Sequence, residues 1–547
     1  MKKPSASGSE TALVAQLAAA VSIASFFYYL RHGDLLLYGD AVAHINIARR
    51  IFDSRTPGLL QLGTVWLPLP HLLMLPFLLS RWLWQTGIGG SIPSLLAYVL
   101  SVTGIFRLVR TAPGVEPESA PAKFSAWFAV VVFALNPNLT YLQTTAMTEP
   151  VYLALFIWAA VFFSDFVRSA GTPSDAQLKS PLTKCGFCLA GACLTRYDGW
   201  LLAVVMAVVA LAVAYQSNFA ALRQALAKFI LLAAATPLLW LAYNAVVYRN
   251  PLEFVNGPHS AKAIEHKTAV PGYPPHPGAH DLSLAFKYFF KSAELNVGQG
   301  GRQIFWVTAL LVGTAIVVLF QRKLWPLLLL WTPVPFYMFS IAYSGVPIFV
   351  PTWWPFSRYN VRYGIEMLPA FTVFSAVAAY GLLHFASTSR TKLAIAAVFL
   401  LLPAISYVQV FRAGPVSFEE AVINSHTRIA LESEVARYLE ALPPGSTFLM
   451  YVGGHVGAFQ QAGIPLARVI NEGNHRPWKR PSDPDGLWER ALQHPAAYAD
   501  YVIAFDSDPV ANGVERRELT ALAILRVTGQ PQATIYRTVK TPGNRAR

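Results

Sequence analysis

Two acids and three arginines fall where an apolar chain should carry neither. Asp40 begins a helix-like run, YGDAVAHINIARR, directly after the first long apolar segment. On a helix, positions 40, 44, 47, 48 and 51 share a face, which places His44 one turn from Asp40. Glu149 stands at the start of another apolar helix, in QTTAMTEPVYL. A carboxylate beside a bilayer is costly unless it is paired or working. Both acids also suit a plain helix start, Asp40 as an N-cap and Glu149 ahead of Pro150. Arg196 lies in TRYDGW, and Arg358 and Arg362 lie in PFSRYNVRYG. Guanidinium groups bind phosphate bidentately, although a lone arginine at a membrane edge more often snorkels to lipid headgroups. Taken together, acids and arginines at one membrane face suit transfer of a group from a lipid phosphate. A carboxylate deprotonates an acceptor, the acceptor attacks the anomeric carbon of a sugar, and cations meet the charge that develops on the departing phosphate.

The rest of the chain must hold these groups at a bilayer. Its 547 residues are 54% hydrophobic and only 13% charged, against about 25% charged in soluble domains. Mean hydropathy is +0.42. The net charge of +14 comes from Lys and Arg scattered between apolar runs. No basic stripe forms, so nucleic acid is not an expected partner. The three cysteines, Cys185, Cys188 and Cys193, share one apolar segment without a His or second pair, and read as packing residues rather than a zinc site. The polar start and the long apolar run that follows it read as an uncleaved first helix.

Segments long enough to span fall near 11–31, 92–110, 124–141, 150–167, 183–195, 200–216, 229–248, 303–320, 324–343, 363–386 and 393–411. The run 67–85, LPLPHLLMLPFLLSRWLWQ, decides the topology. If it lies along the outer interface, the short loops bearing Arg107, Arg110, Lys123, Arg168, Lys179, Lys184, Arg223, Lys228, Arg322, Lys323, Arg390 and Lys392 all face inside with the N-terminus, as the positive-inside rule asks. If it crosses, they flip outside. Its three prolines and Arg81 also suit an interfacial element. We therefore expect eleven crossings, with the outer face collecting Asp40, His44, Glu149, Arg196, Asp198, His259, Lys262, Arg358 and Arg362.

The expected domains are a transmembrane part, 1–411, with outer loops 32–91 and 249–302, and a soluble part, 412–547. In the latter, 418–441 has helical periodicity, and 446–453, 501–506 and 523–529 read as strands, with helix near 488–498. Gly453-Gly454-His455 follows the first of these strands and reads as a turn rather than a phosphate loop. No internal repeat supports an inverted-repeat transporter.

The first 200 residues resemble the GT-C superfamily of polytopic glycosyltransferases that use polyprenyl-phosphate sugars, closest to its protein O-mannosyltransferase and lipid A aminoarabinose transferase branch. That branch has a first-loop acid, then Ile-Ala-Arg, then Pro-Pro-Leu; Asp40, Ile47-Ala48-Arg49 and Pro68-Leu69-Pro70 stand in those places. ALNPNLTYLQTTAMTEPVYLALF resembles the Asn-Pro stretch that leads to an acid opening the next helix. Ala41, His44 and Leu67 depart from the usual acid, Tyr and basic residue. The resemblance implies an α-helical polytopic fold with interfacial helices in the first outer loop, followed by a small C-terminal α/β extracytoplasmic domain. It implies transfer, with inversion, from a polyprenyl-phosphate-linked sugar to an extracytoplasmic acceptor at the cytoplasmic membrane. Asp40 would be the base and Glu149 its partner or a metal ligand. Arg196, Arg358 and Arg362 would hold the donor phosphate, with His44, His71, His259 and Lys262 as further contacts. No cofactor is demanded, and a divalent cation stays open. Two other readings fit a polytopic chain: a secondary transporter, and a non-catalytic receptor or assembly factor.

Overall fold

The computed structural model describes residues 6–112, 118–169, 175–216, 219–269, 272, 274–479 and 483–539. Among them, nine helices are long and apolar enough to cross a membrane. Nine of the eleven expected segments lie in these helices. The expected span 124–141 is instead a helix, Ala120–Ala134, that stops and restarts as Pro137–Leu142. Asn136 causes the break: its Oδ1 accepts the Asn138 and Leu139 amides at 3.0 Å, and Pro137 fixes the first turn. The segment 183–195 closes a helix, Asp175–Cys193, whose first half carries Lys179, Pro181 and Lys184. The run 67–85 forms two short helices, Leu69–Leu78 and Arg81–Gln85, with the Ser80 hydroxyl capping the second. Ten helical residues reach only about 15 Å, half the hydrocarbon core of about 30 Å, so neither piece spans.

The chain forms two compact units. The first comprises Met1–His32, Pro93–Leu241 and Phe254–Glu420. Its central helix, Leu368–Phe385, is apolar all round and buried along nearly its whole length, as such a sequence requires. It packs on Gln303–Ala315 and Ala120–Ala134. The first contact is close because position 313 is Gly: a Cβ there would collide with the Phe374 carbonyl. A polar staple crosses this core. Asn136 and Asn138 donate to the Asn296 carbonyl at 2.8 and 3.1 Å, and Asn296 donates to the Val361 carbonyl at 2.9 Å. The Ser417 amide closes the set on Asn138 Oδ1.

The second unit comprises Gly33–Ile92, Ala242–Glu253 and Ala421–Arg547. Its sheet has the order β2-β1-β3-β5-β4, with β1 Phe448–Met450, β2 Val469–Ile470, β3 Tyr501–Phe505, β4 Leu519–Leu525 and β5 Ala533–Thr538. β1 pairs in parallel with β2 and β3, while β5 runs antiparallel to β3 and β4. Leu449, Ile470, Val502, Ala504, Trp488 and Ala491 form its core. The expected strands 446–453 and 501–506 are present, and the third begins earlier, at Leu519. β2 is too short to show a period, and β5 was missed. The long helix runs Val416–Glu440, and Pro495 divides the 488–498 helix into Leu487–Gln493 and Pro495–Tyr498. The helix Gly39–Arg50 belongs here too. Asn46 donates to Gln460 Oε1 at 2.7 Å and accepts the Trp84 indole at 3.0 Å, while Gln460 donates to the Trp84 carbonyl at 2.8 Å.

Gly313→Ala forces a methyl into the helix contact at Phe374. It is expected to destabilise the first unit by about 1–3 kcal/mol, read as a lower thermal unfolding midpoint of the detergent-solubilised chain.

Candidate functional site

The first unit gathers charge where its helices begin. Glu149 opens the helix Glu149–Ser169, and Arg196 lies in the turn before Asp198–Gln216. Arg362 and Glu366 lie in the tight 3₁₀ stretch Val361–Met367. With three residues per turn, the side chains of two residues four apart diverge by roughly 120° rather than stacking. Arg362 and Glu366 therefore serve different partners. Arg196 Nε lies 3.0 Å from Glu366 Oε1 and 3.1 Å from Asp198 Oδ2. Its Nη1 lies 3.4 Å from Glu149 Oε1 and donates to Thr148 Oγ1 at 3.0 Å. Its Nη2 donates to the Tyr337 hydroxyl at 2.7 Å, and that hydroxyl donates to Glu366 Oε1 at 2.7 Å. Arg362 Nε reaches the same Glu149 Oε1 at 3.2 Å. The Arg362 amide donates to Glu420 Oε2 at 3.0 Å, and its Nη1 pairs with Glu420 Oε1. The Tyr363 ring has the Arg196 and Arg362 guanidinium carbons each 4.9 Å from its centroid, a distance at which cation–π attraction acts.

Four carboxylates thus face two guanidiniums. Glu149 is 1% exposed and Glu366 0%, and one oxygen of each, Oε2, is buried without a hydrogen-bond partner. Such oxygens accept a donor at little further desolvation cost. Among the described residues, no three His, Cys, Asp or Glu side chains converge as a metal site.

Of the residues singled out from sequence, Glu149, Arg196 and Arg362 meet in this cluster. Arg358 instead pairs with Glu419 at 2.8 Å. His259 and Lys262 are exposed in the same unit, Lys262 on the helix Ala261–Thr268. The loop 249–302 carries this helix and Leu282–Val297; positions 270, 271 and 273 lie outside the described residues. Asp40, His44 and His71 belong to the second unit. Asp40 lies in the first turn of Gly39–Arg50, one residue inside the helix rather than at its N-cap, which is Tyr38. His44 Nδ1 lies 2.9 Å from His71 Nε2, and both rings are buried. Burial, then the nearby His44 and Arg50, hold the His71 imidazole well below the usual histidine range. One ring must donate and the other accept, so the two imidazoles cannot both be protonated.

Asp198 was expected at the outer face but given no role, and Tyr337, Glu366 and Glu420 were not among the expected site residues. Glu366 did carry a signal, as an acid inside the apolar run 363–386. Tyr337 and Glu420 carried none.

No protein-family model and no curated protein matches the sequence. Solved structures do match. The chain superposes on ArnT from Cupriavidus metallidurans bound to undecaprenyl phosphate with a TM-score of 0.57 at 13% identity, covering 97% of this chain and 98% of that one. The apo state of the same protein gives 0.55 at 14% identity, covering 96% and 97%. The likeness is one of fold, and it extends over nearly the full length of this chain.

Glu149→Ala removes the acceptor that Arg196 and Arg362 share. Each guanidinium keeps another carboxylate, so the loss of stability is expected to be about 1–3 kcal/mol, whereas Glu149→Gln, which keeps an acceptor oxygen, loses less. Thermal unfolding of the two variants in the same detergent checks the order.

Proposed function

We propose that the protein is a membrane glycosyltransferase that moves a sugar from a polyprenyl-phosphate donor to an extracytoplasmic acceptor, with inversion. The observation that carries this reading is the fold likeness, over nearly the full length of both chains, to a protein whose structure holds undecaprenyl phosphate. The buried acid–arginine cluster supports it, because developing phosphate charge needs preorganised donors in a dry place.

On this reading the acceptor hydroxyl loses its proton to Asp40 as its oxygen bonds to the anomeric carbon. The bond from that carbon to the phosphate oxygen breaks, and polyprenyl phosphate leaves with the electron pair. Arg196 and Arg362 stabilise that charge, and Glu149 positions both guanidiniums. Arg358, His259 and Lys262 lie in the outer segments of the same unit and would meet the donor headgroup. His44 and His71 set the surroundings of Asp40 from one turn away on its helix and across their mutual hydrogen bond. Residues 1–411 would form the catalytic transmembrane part and 412–547 an outer domain. The protein would lie in the cytoplasmic membrane with its N-terminus inside.

Two measurements test this. Purified protein given a synthetic polyprenyl-phosphate sugar is expected to release or transfer the sugar, and Asp40→Asn is expected to be slower by about 10²-fold or more. Equal rates for the two proteins would remove Asp40 as the base. No turnover by the wild type with any acceptor, water included, would return the protein to the transporter or assembly-factor readings. Separately, a single cysteine placed in 86–91 is expected to react with an impermeant reagent from outside intact cells. Labelling only after lysis would reverse the topology.

A further inference from the structure

In the second unit a cavity of about 130 Å³ opens at the carboxyl ends of β1 and β2. In open parallel sheets this is the edge where ligands bind. One wall is a stripe of the helix Gly39–Arg50, running from Gly39 through Asn46 to Arg50 at helical spacing. Trp66, Arg428, Glu432, Glu472 and the glycines after β1, Gly453 and Gly454, close the rest.

The polar groups in this wall are unequally used. Arg428 is engaged at its terminal nitrogens, though its Nε is buried without a partner: Nη1 meets Glu432 Oε2 at 2.6 Å, and Nη2 donates to the Leu36 and Leu37 carbonyls at 3.0 Å. Asn46 is engaged with Gln460, Trp84 and the Val42 carbonyl. Arg50 is not. Its Nε is buried without a hydrogen-bond partner, and Glu472, which attracts it through space, lies beyond ion-pair distance. A buried donor without a partner costs about 1–3 kcal/mol. Glu472 lines the same cavity, with Oε2 accepting the Val452 amide at 2.9 Å.

Two arginines and two glutamates make the lining formally neutral, so neither a bare anion nor a bare cation finds a net countercharge. A neutral group bearing several hydroxyls fits better. Each hydroxyl both donates and accepts, so neighbouring hydroxyls satisfy Arg50 and Glu472 together. The indole of Trp66 offers an apolar wall for the C–H face of a ring. The volume is close to the roughly 150 Å³ that accommodates one six-membered ring in an engineered protein cavity.

We propose that this cavity binds one neutral pyranose unit of the acceptor, which makes the acceptor a glycan. The identification as an acceptor site rests on the glycosyltransferase reading; the binding of a sugar does not. Saturation-transfer NMR on the full-length protein in detergent reads occupancy without turnover. The probes are glucose, galactose and mannose, set against glucuronate and inorganic phosphate. At least one neutral hexose is expected to bind with Kd on the order of millimolar. Arg50→Gln and Glu472→Gln are expected to weaken it at least about tenfold. Gly454→Leu is expected to abolish binding by filling the cavity: a Cβ at position 454 meets nothing within 4 Å, so the fold should tolerate it, and an unchanged unfolding midpoint verifies that. Preference for glucuronate or phosphate over every neutral hexose overturns the proposal, as does hexose binding that survives both Arg50→Gln and Gly454→Leu. A wild type that binds hexose but never turns over a lipid-phosphate sugar refutes the catalytic reading and leaves the sugar site standing. One that turns over donor yet binds no hexose refutes the sugar site alone.

Discussion

The membrane-spanning unit depends on two guanidiniums meeting one carboxylate, that of Glu149. Taking an ion out of water costs several kcal/mol, and only good geometry with further hydrogen bonds recovers it. Arg196 and Arg362 obtain that geometry from five separate stretches of chain: the start of Glu149–Ser169, the turn at Asp198, the helix Pro333–Tyr343, the 3₁₀ stretch Val361–Met367 and the helix Val416–Glu440. A slip of one residue in any of them strands a charge in a dry interior. The cluster therefore penalises wrong packings more than it rewards the right one, a restriction that apolar helices sliding in lipid do not supply for themselves. The staple of Asn136, Asn138, Asn296 and Ser417 extends the same restriction with neutral groups.

The second unit is specified differently. Asn46, Trp84 and Gln460 satisfy one another completely, and a closed neutral network of this kind carries no residual demand. Arg428 likewise has acceptors at both terminal nitrogens. Against that background Arg50 stands out because Glu472 attracts it without a hydrogen bond, and its buried Nε has no partner. The same helix that contributes Asn46 to a finished network contributes Arg50 to an unfinished one, four residues and one turn later. Completion and incompletion are adjacent on one face.

How much of this was legible in the sequence follows from the range of each interaction. Spans and loop charges are local sums, so nine helices and the non-spanning character of 67–85 could be read directly. Two segments are not single apolar helices, for equally local reasons: Asn136 and Pro137 interrupt one, and Lys179, Pro181 and Lys184 dilute the other. Glu149 and Arg196 were visible because charges at apolar boundaries are rare. Glu366 was visible in principle but fell inside a segment read as a span. Tyr337 and Glu420 owe their roles to partners 29 and 58 residues away, and no periodicity in their own neighbourhoods reports that. The pairing of His44 with His71 is of the same kind: both residues were marked, but their hydrogen bond spans 27 residues. β2 escaped because two residues carry no period.

The cluster's stoichiometry bears on how an arginine here could meet phosphate at all. Arg196 and Arg362 already hold carboxylates at most of their nitrogens, so a phosphate cannot simply fill a vacancy. It must take the place of a carboxylate oxygen on a guanidinium fork, one anion exchanged for another. Such an exchange changes the charge around the arginine little, and the guanidinium geometry suits carboxylate and phosphate alike. The displaced oxygen would then join the Oε2 atoms of Glu149 and Glu366, which already lack partners, and the excess of acceptors would grow. An excess of buried acceptors is relieved by donors, and a sugar's hydroxyls are donors. On the proposed reading, the arrangement therefore favours a ligand that brings phosphate and hydroxyls together over one that brings phosphate alone.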